Sequence, residues 1–164
     1  MEDVWKEMVW RQFGGAIDML ANAVRACPDG LWGDRGRRPE FWYVTFHTLF
    51  FLDLYLSGTL EGFRPPEPFT LDELNPAGMT PERVYTKGEL LGYLGHCREK
   101  CRAAVRGLTE ERARALCSFG WVEMSFAELL LSNMRHVQHH AAQLNLLLSR
   151  ETGSAPRWVK AAVD

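Results

Sequence analysis

Residues 125–150 read SFAELLLSNMRHVQHHAAQLNLLLSR, a run with neither glycine nor proline. Ser125 and Glu128 have capping-box spacing, in which a hydroxyl and a carboxylate satisfy orphan backbone donors at a helix start. The pattern predicts one long helix from Ser125 to about Arg150. At about 100° per residue, Phe126, Leu129, Asn133, His136, His140, Leu144 and Leu147 fall within roughly a quarter-turn of one another. Arg135, Gln138 and Asn145 fall on the far side. The projection therefore sets His136 and His140 in the middle of an inward stripe and His139 toward its edge.

The same projection over the apolar stretch from Phe41 to Leu56 groups His47 with Tyr43, Phe50, Phe51 and Leu54. Three imidazoles aimed into a helical core each cost about 1–3 kcal/mol unless they find a partner. One divalent metal ion on His47, His136 and His140 compensates all three at once, because imidazoles four apart on a helix can converge on a single centre. Two ligands from one helix and one from a facing helix leave coordination positions open, as catalytic sites do. The plainer readings are a hydrogen-bonded core histidine for His47 and a fortuitous surface pair for the other two. His96 projects beside a core face and is a flank residue, and His139 is a rim group or a support behind the ligands rather than a ligand itself. Cys97 and Cys101, four apart, suit small buried hydrophobes better than soft metal ligands. Gln143 follows His140 on the same side and either holds it in one tautomer, donates to a bound water, or marks a polar boundary. Glu40, two turns before His47, is placed to reach the site mouth or only to favour a helix start.

Outward from these two segments the chain reads as all-α, a four-helix bundle with long loops. Val4, Met8, Phe13, Ile17, Leu20 and Val24 predict a first helix from Asp3 to about Arg25, stopped by Cys27-Pro28-Asp29-Gly30. Pro39 suits the first turn of the second helix, which Ser57-Gly58 ends. Five prolines between Ser57 and Tyr85 leave room for no more than a turn of helix near Leu71–Leu74 or Pro81–Val84. Thr86 and Glu89 form a second capping box, opening a third helix that weakens at Gly107, with a short extra helix within Thr109–Leu116. No convincing strand pair is expected; Phe119 to Met124 is at most one extended piece. Helix two is apolar nearly all round, and Trp42, Phe46, Leu49 and Leu56, away from the histidine face, offer a surface for a dimer.

With 164 residues, 46% hydrophobic and 24% charged, and a net charge of -2, one globular domain over residues 1–164 is expected. Arg35, Arg37 and Arg38 lie among Asp29, Asp34 and Glu40, so no basic stripe suggests a nucleic acid partner. No signal peptide, membrane span or disulfide framework is expected, which makes the cytoplasm the default address.

The stretch Asn133-Met134-Arg135-His136-Val137-Gln138-His139-His140-Ala141-Ala142-Gln143-Leu144 resembles the last-helix signature of the DinB-like (DinB/YfiT) superfamily. His47, at the end of Phe41-Trp42-Tyr43-Val44-Thr45-Phe46-His47, matches the helix-two position where that family has its third ligand. The likeness extends to helix order, loop lengths and the Pro156-Arg157-Trp158-Val159 tail. It implies an up-down-down-up bundle, commonly a homodimer, with zinc, nickel or another divalent ion on the three histidines. It further implies a thiol S-transferase using a low-molecular-weight thiol, such as bacillithiol or mycothiol, and a small-molecule electrophile; a thiol-dependent maleylpyruvate isomerase is a further relative. Ala141-Ala142 stands where an arginine and a glycine often follow the last ligand, so the contacts next to the ion differ here. The alternatives are a noncatalytic metal-binding or interaction protein, in which the ion braces the bundle, and a metal-dependent hydrolase. The loops Ser57–Tyr85 and Gly30–Arg38 are candidate rims for a substrate pocket.

Overall fold

The computed structural model describes residues 2–163. Its helices are α1 (Glu2–Ala26), α2 (Asp29–Trp32), α3 (Phe41–Ser57), α4 (Lys87–Arg106), α5 (Glu110–Arg114) and α6 (Phe126–Thr152). Two three-residue strands, β1 (Leu116–Ser118) and β2 (Glu123–Ser125), precede α6.

Side-chain contacts fix the helix directions. Cys97 Sγ meets the Leu49 carbonyl at 3.7 Å and Lys100 Nζ meets Ser57 Oγ at 2.7 Å, so α3 and α4 run parallel. Lys87 reaches the Cys27 carbonyl, Arg98 Nε donates to Asp18 at 2.9 Å, and Arg102 lies over Trp10, so α4 opposes α1. The His47 and His140 rings are 5.1 Å apart and Asn133 Nδ2 donates to the Leu52 carbonyl at 3.1 Å, so α6 opposes α3. The result is an up-down-down-up bundle in which α1 and α3 each pack against both α4 and α6.

The termini of the helices follow the local chemistry. Thr86 Oγ1 accepts from the Glu89 amide at 3.2 Å while the Glu89 carboxylate takes the Thr86 amide at 2.7 Å, completing the expected box. At α6 the Ser125 hydroxyl caps the Glu128 amide at 3.3 Å. Gly58, at φ +75°, ends α3, and a side chain there would strike the Arg112 guanidinium. That guanidinium donates to the Ser57 carbonyl at 3.1 Å, a cation at the negative end of α3. The C-terminal segment lies along α1, where Gly14 and Gly15 have no side chain to keep Ala161 and Ala162 away. Ala162 N then donates to the Arg11 carbonyl at 2.8 Å.

Asp53 is the charged residue buried in the core of α3, 1% exposed. It accepts from the Tyr93 hydroxyl at 2.9 Å and pairs with Lys100, so its charge is matched where α3 meets α4. His96 flanks this pair at 3.7 Å from Asp53 and is half exposed, as its sequence position predicts.

Several expectations are corrected. Pro39 lies before α3 rather than in its first turn, because the chain is still extended at Glu40, whose carboxylate takes Trp42 Nε1 at 2.7 Å and Arg38 at 2.8 Å. A turn of helix, α2, follows Pro28 where a loop is expected. Between Ser57 and Tyr85 the first of the two expected turns is present, as a 3-10 turn at Asp72–Leu74, and among the described residues Pro81–Val84 forms none. The two strands pair antiparallel, Cys117 opposite Met124, where no pair was expected. Three residues per strand are too few for alternation to show in sequence, and the turn depends on Gly120 at φ +88°. Finally, Trp42, Phe46, Leu49 and Leu56 are all buried. The expected second helix, α3, is apolar nearly all round because α4, α6 and the proline-rich loop cover it, so those residues form no dimer surface. No described helix is long and apolar enough to cross a membrane.

Candidate metal centre

His136 and His140 occupy successive turns of α6, and α3 carries His47 across from them. One ligand atom from each of the three lies within 4.8 Å of the others. The ring centroids are 4.7 Å apart for His136 and His140 and 5.5 Å for His47 and His136. The expected trio thus comes together, but not in the middle of the core stripe. The buried residues of α6 are Phe126, Leu129, Leu130, Asn133, Val137, Ala141, Leu144 and Leu148, so Phe126, Leu129, Asn133 and Leu144 of the expected stripe are buried while the histidines flank it half-buried. The shift arises because α6 packs on α1 as well as α3, so its core direction bisects the two contacts. Gln138, expected on the far side, is accordingly half-buried, with its amide 3.5 Å from Met19 Sδ on α1.

Hydrogen bonds leave one ring nitrogen of each outer histidine free to bind. His47 Nδ1 is 2.7 Å from Glu73 Oε2, and His140 Nδ1 is 3.0 Å from Gln143 Oε1. With the Nδ1 proton donated to oxygen, the Nε2 lone pair remains, which is how metal-binding imidazoles are held in tautomer and direction. Gln143 therefore takes the tautomer-holding one of its three expected roles. His136 Nδ1 is buried with no partner. Burial pushes the His136 imidazole down to about 3, with repulsion from His140, His47 and His139 adding to the effect. Burial also lowers His140, against a partial opposing effect from Gln143. Both rings are neutral at pH 7, the form that binds a cation. An orphaned buried ring nitrogen, neutral imidazoles and two fixed tautomers together fit a divalent ion.

Glu73 was not legible in the sequence. It sits on the 3-10 turn of the proline-rich loop, its side chain only 4% exposed, and Oε1 is buried without a partner. Burial first, and the Glu73 carboxylate second, push the Tyr43 phenol up. Nothing in the local pattern of residues 57–85 marks this carboxylate; only the fold returns the loop to His47.

A cavity of about 550 Å³ opens against His47 and His136, walled by Phe51, Tyr55 and Trp121 and by Glu73 to Pro76 of the loop. The expectation that the Ser57–Tyr85 loop forms a rim holds, whereas neither the Gly30–Arg38 loop nor Glu40 lines this cavity. His139 is exposed, its ring 4.9 Å from His140. Cys97 and Cys101 are fully buried, burial raises both thiols, and neither belongs to the histidine cluster, which makes them packing groups, not ligands.

The folded-state depression of His136 fixes a sign for acid stability. Without metal, the unfolded chain takes up a proton near 6.5 while the folded chain resists until about 3, so stability falls as pH drops through that window. The slope from this group approaches about 1.4 kcal/mol per pH unit. Urea melts of metal-free protein between pH 7 and 4 will show a steeper loss for the parent than for His136→Ala; equal slopes would contradict the depressed pKa.

No curated protein matches the chain. The family model of the DinB superfamily matches residues 12–144, a span that runs from within α1 to the last turns of α6 and includes all three histidines. The bundle, its direction of travel and the histidine cluster agree with that match, and the chain belongs to the DinB superfamily.

Proposed function

We propose that His47, His136 and His140 hold one divalent ion, zinc or nickel, and that the chain is a thiol-dependent S-transferase. The observation that carries this reading is the open cavity against His47 and His136, two of three convergent imidazoles of which His47 and His140 are held in one tautomer. A bracing ion needs no such space, and a buried structural centre would be closed by a fourth protein ligand. A divalent ion there supplies the Lewis acidity that brings the proton of a thiol or water toward neutral pH. The protein's own part is to keep His136 and His140 neutral, to aim His47 through Glu73, and to hold the second reactant in the cavity beside His47 and His136. The thiol gives up its proton to solvent, its sulfur bonds to carbon of the electrophile, and the leaving group departs with its electron pair.

The test uses 1-chloro-2,4-dinitrobenzene with glutathione, cysteine, bacillithiol or mycothiol. The zinc- or nickel-loaded chain is expected to speed thioether formation and chloride release, and metal-free chain and His136→Ala are not. Metal binding that raises the melting temperature without turnover by any thiol would leave the bracing role. Turnover of esters without thiol would instead mark a hydrolase.

A further inference from the structure

Beside the histidines one wall of the cavity is aromatic, and two separate elements of the chain supply it. Phe51 and Tyr55 follow His47 at one and two turns along α3, so all three face the same side. The Phe51 ring lies 4.9 Å from His47 and 5.6 Å from Tyr55. Trp121 comes from the turn between β1 and β2, which Phe119 N closes on the Val122 carbonyl at 3.0 Å. Its Nε1 donates to the Tyr55 hydroxyl at 3.0 Å, and its ring stands edge-on to Phe51 at 6.3 Å.

Trp121 nevertheless remains 54% exposed. An indole left that open forgoes much of the free energy of burial, yet the hairpin and the Tyr55 bond hold it at the cavity mouth. The lining contains no lysine or arginine, and its one carboxylate, Glu73, has an unpaired oxygen. An anionic ligand entering the aromatic end would lose water without gaining a cation and would feel Glu73 as well. Leu74 and Pro76 of the loop add apolar surface opposite the rings.

We infer that this cavity binds an uncharged, planar aromatic or conjugated group against Trp121 and Phe51. This rests on the S-transferase reading only in assigning that group to the electrophile; the binding site stands on the cavity alone. The expected selectivity is for flat neutral rings over the same rings bearing a sulfonate or carboxylate.

Calorimetric titration of the full chain, free of metal and thiol, with 2-naphthol and with naphthalene-2-sulfonate tests this directly. Naphthol is expected to bind one to one and the sulfonate about tenfold or more weakly. Trp121→Ala is expected to cost naphthol about tenfold, the order of one aromatic contact, and Trp121→Phe far less. Trp158→Ala, which removes an exposed indole elsewhere, is expected to change nothing. Trp121→Arg should reverse the preference toward the sulfonate. Repeating the naphthol series on zinc-loaded chain covers the case of a metal-free chain or variant that folds poorly. Equal binding of the two probes, or a Trp121→Ala affinity within twofold of the parent in both series, would overturn the inference. Because neither turnover nor thiol enters the measurement, a chain that binds naphthol as expected but conjugates no thiol would refute only the proposed function.

Discussion

His136→Ala is expected to lower zinc affinity by roughly a hundred- to a thousandfold while leaving the helical fold intact. Structural zinc sites with four ligands bind with about 10–16 kcal/mol, so one ligand accounts for about 2.5–4 kcal/mol, and each 1.4 kcal/mol is tenfold. The metal-free variant should not be destabilised by the same amount. The substitution removes a buried ring nitrogen that has no partner and an imidazole that is costly to protonate. Competition titration against a chromophoric chelator, together with melting temperatures with and without zinc, separates the two effects. A variant that keeps parental affinity would exclude His136 as a ligand, and one that melts many degrees lower without metal would make it a core residue.

Glu73→Gln is expected to weaken zinc binding by roughly ten- to a hundredfold although Glu73 touches no ion. Its carboxylate fixes the proton on His47 Nδ1 at 2.7 Å and so directs the other ring nitrogen toward the α6 histidines. The amide oxygen of glutamine still accepts that proton, but the negative charge that strengthens the imidazole as a donor to the cation is gone. Glu73→Ala should cost more, since His47 then loses its orienting partner entirely. The same chelator competition measures both, and affinities in the order parent, Gln, Ala are the expected result. Equal affinities across the three would mean that the loop only covers the site.

The bundle and the histidine cluster were legible because each depends on short-range rules. Ser125, Glu128 and the unbroken run to Arg150 state a helix in their own spacing, and residues four apart must share a face whatever surrounds them. The position of His136 and His140 relative to the core was less legible, since it depends on which neighbours α6 acquires. Packing on two helices turned the buried direction toward Val137 and Ala141 and left the histidines at an edge, with His136 open to a cavity. The burial of Trp42 and Phe46 is hidden from the sequence for the same reason: a nearly all-apolar helix looks identical whether its second face meets a partner chain or its own loop. Glu73 and Trp121 escaped notice because both sit on irregular segments, one in a proline-rich loop and one on a hairpin turn of minimal length. Neither segment has a periodicity to read, and both residues reach the site only through tertiary structure.

X-ray absorption at the zinc edge, on protein reconstituted with one equivalent of zinc, tests the centre most directly. Three imidazole nitrogens at about 2.0–2.1 Å, joined by light atoms from solvent and with no sulfur, are the expected shell. Scattering from sulfur near about 2.3 Å, or fewer than three imidazoles, would contradict the assignment of His47, His136 and His140.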